Sequence, residues 1–118
     1  MILAAVDDLL FSSKIRTTAK LSGVELTFAR TPDAILSQAK ELKPSLIIFD
    51  LNCAKADPIN TLAALKQDPE LDTIPTIGFV SHVDAGTIQA ARQAGCDEVM
   101  ARSAFAGNLA AILTSGHS

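Results

Sequence analysis

A chain of 118 residues and 12.4 kDa has room for one packed domain, residues 1–118, and not for two. Apolar residues make up 48 % and charged residues 19 %, so a real core is available and disorder is excluded as the dominant state. A net charge of −3 lacks the basic footprint of a nucleic-acid binder, and five Phe with no Trp or Tyr leave no aromatic platform for stacking bases or sugars.

The predicted elements alternate along the chain. The apolar run Ile2 to Val6 reads as a first strand, and the segment Leu9 to Leu21 as an amphipathic helix with Phe11, Ile15, Thr18 and Leu21 near one stripe, stopped by Gly23. A second strand over Val24 to Phe28 is followed by Thr31-Pro32-Asp33, an N-cap with proline at the first helical position, and a helix carrying Ile35, Leu36, Ala39 and Leu42 inward. Leu46 to Phe49 forms the third strand. Asp57-Pro58 repeats the start signal for a helix with Ile59, Leu62, Ala63 and Leu65 that ends near Asp68-Pro69.

Ile74 to Val80 is the fourth strand. Asp84 caps a helix holding Ile88, Ala91 and Ala94 before Gly95, Glu98 to Met100 is the fifth strand, and Ser103 caps a last helix with Phe105, Leu109, Ile112 and Leu113. Gly116-His117-Ser118 is expected to fray. Five strands alternating with five helices imply an α/β, doubly wound parallel sheet with helices on both faces and strand order 2-1-3-4-5, the flavodoxin-like (βα)5 arrangement.

The apolar runs fall far short of the roughly 20 residues a membrane span needs. No basic region precedes the first apolar run, which does not read as a secretory signal, so a cytoplasmic location is expected. Cys53 and Cys96 are far apart with no CxxC or paired-His spacing, which suits two reduced, packed thiols.

Ligands of open parallel sheets bind outside the carboxyl ends of the strands where the order reverses, here between strands 1 and 3. The residues leaving those strands are Asp7 and Asp8, and Asp50. As single residues they read as helix-capping and loop acids; together they converge on one crevice, and three like charges at a partly desolvated site call for a cation or raised pKa values. Magnesium suits such a set, with carboxylates, a backbone carbonyl and open positions for a phosphate oxygen.

With these residues in place, the whole chain resembles a CheY-like receiver domain of two-component response regulators, here expected to stand alone without an effector. Asp7-Asp8 matches the acid pair after strand 1, and Asp50 the phosphoacceptor after strand 3. Asp57, seven residues on, matches the loop aspartate that starts the third helix, and Ile74-Pro75 the opening of strand 4; Gly95-Cys96-Asp97 resembles the turn before strand 5. The resemblance implies that Asp50 accepts a phosphoryl group from a phosphohistidine. It also implies that Asp8, Asp50 and the carbonyl of Asn52 bind Mg2+ directly, with Asp7 acting through water. Such a protein is a signalling phosphoacceptor and not an enzyme, beyond catalysing its own phosphoryl transfer. Its implied partners are a histidine kinase or phosphotransfer protein and a downstream protein; charge and hydropathy argue against nucleic acid and membrane.

Several positions depart from the family pattern. Val80 stands where a Thr or Ser hydroxyl is expected, so Ser81 can substitute only if the strand shifts by one residue. Arg102-Ser103 replaces the Lys-Pro pair, and Arg102 can grip a phosphate bidentately or fold over Asp50 in the resting state. Val99 replaces the aromatic switch residue. Pro58 and Cys53-Ala54 alter the loop, and His82 lies beside the expected pocket, where it reads as a solvated loop residue.

Two functions remain open: a working stand-alone receiver, for which Lys14, Arg16 and Lys20 on the first helix would face a kinase or phosphotransfer helix, and a pseudo-receiver that binds partners without being phosphorylated. A flavodoxin-like cofactor protein is disfavoured, because Asp7-Asp8-Leu-Leu is the wrong chemistry for cradling a bare phosphate. The alanine-rich faces of the last two helices, with Ala90, Ala94, Ala110 and Ala111, would admit a second copy as a homodimer.

Overall fold

In the computed structural model, residues 1–81 and 84–115 are described. The elements are β1 (Ile2–Ala5), α1 (Leu9–Leu21), β2 (Leu26–Phe28), α2 (Pro32–Leu42), β3 (Leu46–Asp50), a 3-10 turn (Ala54–Ala56), α3 (Pro58–Gln67), β4 (Thr76–Val80), α4 (Ala85–Gln93), β5 (Glu98–Ala101), α5 (Arg102–Gly107) and α6 (Leu109–Ser115). All strands are parallel, in the order β2-β1-β3-β4-β5. The predicted sheet and order are therefore observed. The end expected to fray, 116–118, lies outside the described residues.

Side-chain alternation along the strands divides the core in two. Leu3, Ala5, Ile47 and Phe49 face one way and pack with Ile35, Ala39, Leu62, Leu65 and Ala91 from α2, α3 and α4. Ile2, Ala4, Leu46, Ile48, Ile77 and Phe79 face the other way, against Phe11 and Ile15 of α1 and Phe105, Leu109, Ile112 and Leu113 of α5 and α6. At the centre of the second layer Phe79 and Phe105 stack with ring centroids 4.8 Å apart, and Phe11 meets Phe79 edge-on at 5.1 Å.

The structure corrects several local expectations. The buried stripe of α1 is Phe11, Ser12, Ile15 and Ala19, while Leu21 is 83 % exposed because it falls past the turn that meets the sheet. Leu42, at the end of α2, is likewise exposed. The last helix is two helices, α5 and α6, and it starts at Arg102, so Ser103 lies inside its first turn and Ala101 occupies the cap without a side-chain bond. Asp57 precedes α3 in a left-handed conformation (φ 43°) that turns its carboxylate away from the helix amides; it accepts instead from the Asn60 amide at 3.0 and 3.2 Å. Asp8, Thr31 and Asp84 do cap their helices through side-chain oxygens.

The register levels the carboxyl ends of the central strands: Ala5 lies beside Phe49, Asp50 beside Phe79, and Val80 beside Ala101. Gly78 lets the chain leaving β3 fold back over the sheet, since a Cβ there would come within 2.8 Å of Leu51.

Truncation of the shared aromatic layer should be costly. Phe79→Ala is expected to lower stability by about 3–5 kcal/mol in urea unfolding, with the midpoint shifted and the slope retained.

Candidate functional site

At the switch point between β1 and β3, Asp7, Asp8, Asp50, Asn52, Ala54 and Lys55 line a cleft of about 460 Å³. Asp50 is the last residue of β3 and is half-buried, and Asp7 and Asp8 follow β1 into the cap of α1. Three carboxylates therefore share one opening, as the sequence implies. Asp8 Oδ1 accepts the amides of Leu10 at 2.9 Å and Phe11 at 3.1 Å, and Asp8 Oδ2 accepts from Arg102 Nη2 at 3.1 Å. Asp7 is held between Arg30 Nε at 3.4 Å and Lys55 Nζ at 3.7 Å.

The charge of the cleft is thus compensated by the chain's own cations. Arg30 and Lys55 escape sequence reasoning because they sit on different connections and no spacing links them to Asp7. Arg102, read as able to grip a phosphate or to fold over Asp50, pairs here with Asp8 and lies with its guanidinium carbon 4.3 Å from the centre of the Phe11 ring.

The two central carboxylates are pushed in opposite directions. Asp8 is held below the usual carboxylate range, mainly by the Phe11 amide and also by Arg102. Burial raises Asp50, aided by the neighbouring charges of Asp8 and Asp7 and opposed by the Asn52 amide and Arg102. Asp50 Oδ1 accepts that amide at 3.0 Å.

Ser81 joins the site through its backbone: its N–H donates to Asn52 Oδ1 at 2.8 Å, fixing the loop after β3 against the end of β4. Val80 is buried, so no hydroxyl takes its place at the end of β4. Ser81 and Arg102 belong to a second cavity, of about 450 Å³, which Phe11, Val80, Ala101 and Ala106 also line. His82 lies outside the described residues. Cys53 and Cys96 are free and buried, as expected of packed thiols.

Asp7, Asp8, Asp50 and the Asn52 carbonyl form a hard-oxygen donor set of the kind Mg2+ prefers. Among the described residues, however, no three His, Cys, Asp or Glu side chains are drawn together closely enough to hold a metal ion. The donor chemistry fits a divalent cation, and Asp7 and Asp8 also pair with the chain's own cations Arg30, Lys55 and Arg102.

Comparison with known proteins gives one consistent class. No family model matches the chain. Over 87 residues it is 29 % identical to the polar-differentiation response regulator DivK of Brucella anthropi, covering 74 % of this chain and 71 % of the relative. Among solved structures, the Mn2+-bound form of response regulator Rcp1 superimposes with a TM-score of 0.78 at 22 % identity, covering 94 % of this chain and 89 % of that one. The phosphorylated cyanobacterial phytochrome response regulator RcpA gives 0.76 at 23 % identity, covering 97 % and 88 %. The fold is that of the CheY-like receiver domains of response regulators, and the resemblance read from the sequence is borne out. Among the described residues no helix is long and apolar enough to cross a membrane.

A pH-dependent stability difference follows from Asp50. An acid whose folded pKa lies above its unfolded value costs stability when ionised, and that cost vanishes as pH falls through the raised folded value towards 3.8. Asp50→Asn is therefore expected to unfold at a higher temperature than the parent at neutral pH, with the gap closing on acidification into the ordinary carboxylate range. Thermal unfolding of both proteins across pH checks this.

Proposed function

We infer that this chain is a receiver in two-component signal transduction that accepts a phosphoryl group on Asp50 and signals through protein contacts. The observation that carries this reading is the position of Asp50: half-buried at the carboxyl end of β3, in a cleft it shares with Asp7 and Asp8 at the point where the strand order reverses. The similarity to response regulators, one of them phosphorylated and another bound to Mn2+, supports it.

The phosphoryl donor would be a phosphohistidine on a kinase or phosphotransfer protein. An oxygen of the Asp50 carboxylate attacks phosphorus, the P–N bond breaks, and its electron pair stays on the departing imidazole nitrogen. Asp8, Asp50 and the Asn52 carbonyl would hold Mg2+, with Asp7 acting through water; bound there, the ion supplies positive charge between an anionic nucleophile and an anionic phosphoryl group. Arg102 is close enough to Asp50 to bear on its ionisation and would contact the phosphoryl oxygens in place of the family's lysine. The chain catalyses nothing beyond this transfer onto itself.

The donor would approach over α1. Lys14, Arg16 and Lys20 are exposed on it, and Leu9 and Leu10, 79 % and 86 % exposed, stand beside the cleft, a combination suited to an amphipathic helix with acidic flanks.

A pseudo-receiver that binds partners without phosphorylation is the second reading. It is favoured by the internal ion pairs that already balance Asp7 and Asp8 and by the buried valine at position 80.

Amide NMR with Mg2+ and beryllofluoride, an acyl-phosphate mimic, separates the two. A working receiver is expected to show shifts around Asp8, Asp50 and Ser81 that are absent in Asp50→Asn. Unchanged spectra at millimolar Mg2+ would overturn the phosphoacceptor assignment and leave the pseudo-receiver.

A further inference from the structure

Arg102 touches two systems at once. Its Nη2 donates to Asp8 in the acidic cleft, and its guanidinium covers the Phe11 ring. Phe11 in turn meets Phe79 at 5.1 Å and Phe105 at 5.9 Å, so Arg102 links the cleft to the aromatic cluster that joins α1, β4 and α5. Next to this contact is the cavity lined by Phe11, Val80, Ala101, Ala106 and Arg102 itself. The small residues on that list leave space beside the guanidinium into which neighbouring groups can move.

The contact with Asp8 is of a kind that yields. Both side chains are more than a third exposed, at 35 % and 39 %, and an exposed ion pair is weak. Asp8 also keeps two backbone amides on its other oxygen if Arg102 leaves. A phosphoryl group on Asp50 would present about two negative charges and several strong acceptors, to which a guanidinium binds through paired hydrogen bonds. The difference in affinity between these two anions is what would move the side chain.

We propose that Arg102 is the read-out group of this chain: when Asp50 is phosphorylated, its guanidinium leaves Asp8 and the Phe11 ring for the phosphoryl oxygens, uncovering Phe11 and widening the cavity between α1, β4 and α5. The proposal rests on Asp50 as phosphoacceptor. It gives the signal a route that needs neither a hydroxyl at Val80 nor an aromatic ring at Val99. The change arrives at the aromatic layer beneath α1 and α5, on the face of the sheet opposite α3 and α4.

The test is side-chain NMR of the intact protein, following the Arg102 Nε–Hε resonance, the Phe11 and Phe105 ring protons, and nuclear Overhauser contacts between Arg102 and the Phe11 ring, with Mg2+ alone and with Mg2+ plus beryllofluoride. With Mg2+ alone the Arg102 protons are expected upfield, with clear contacts to Phe11. With beryllofluoride the upfield displacement and those contacts should be lost, and both rings should shift. Amide shifts at Asp50 accompanied by unchanged Arg102–Phe11 contacts would overturn this proposal and leave the phosphoacceptor intact. No amide shift at Asp50 would overturn both.

Discussion

The parallel pairing of β1 with β3 is the constraint from which the rest of the molecule follows. Because the register sets Ala5 beside Phe49, the residues that leave these strands, Asp7 and Asp8 on one side and Asp50 on the other, emerge at the same level. Parallel neighbours cannot be joined by a tight turn, so every connection must cross a face of the sheet, and the crossing helices bury both faces. The strands are accordingly apolar on both sides, and the core divides into one layer beneath α2, α3 and α4 and another beneath α1, α5 and α6. A polar cleft is left where the strand order reverses and adjacent connections depart to opposite faces.

Bringing carboxylates together at that cleft creates an electrostatic problem, and the chain solves it unevenly. Asp8 receives the first amides of α1 and a guanidinium, and Asp7 receives Arg30 and Lys55. Asp50 receives one backbone amide and is more deeply set, so its ionised form is disfavoured. With Asp8 held below the usual carboxylate range and Asp50 raised by burial, added positive charge acts most on the second. That is the residue the receiver resemblance identifies as the nucleophile.

Two of the departures from the receiver pattern, Val80 and Val99, pack into one layer of the core, and a third, Arg102, reaches the other. Val80 and Val99 carry side chains that can neither donate a hydrogen bond nor rotate as a ring, and both are packed with the layer beneath α2, α3 and α4. Arg102 and Phe11 belong to the other side, where an aromatic cluster and a cavity meet the acidic cleft. A guanidinium can pair with a carboxylate and lie over a ring at the same time, which a lysine ammonium does less well because it lacks the planar fork. Arginine in place of lysine therefore couples two neighbouring regions that lysine would leave more loosely connected.

Most of the architecture was legible from residues alone. Strict alternation of short apolar runs with amphipathic segments, together with start signals at Thr31-Pro32 and Asp84, determined the strand count and the parallel sheet, because periodicity and capping are local properties, while the strand order rested on crossover handedness and the receiver resemblance. Asp7, Asp8 and Asp50 could be located as the residues that follow two central strands, and Asn52 by the receiver resemblance. Which partner each acid takes was decided only by tertiary structure. Arg30, Lys55 and Arg102 lie on three separate connections, and contacts between segments distant in sequence leave no periodic trace. The exposure of Leu21 and the break between α5 and α6 were equally hidden, since a helical stripe shows which residues share a face and not how far along the helix the sheet extends to cover it.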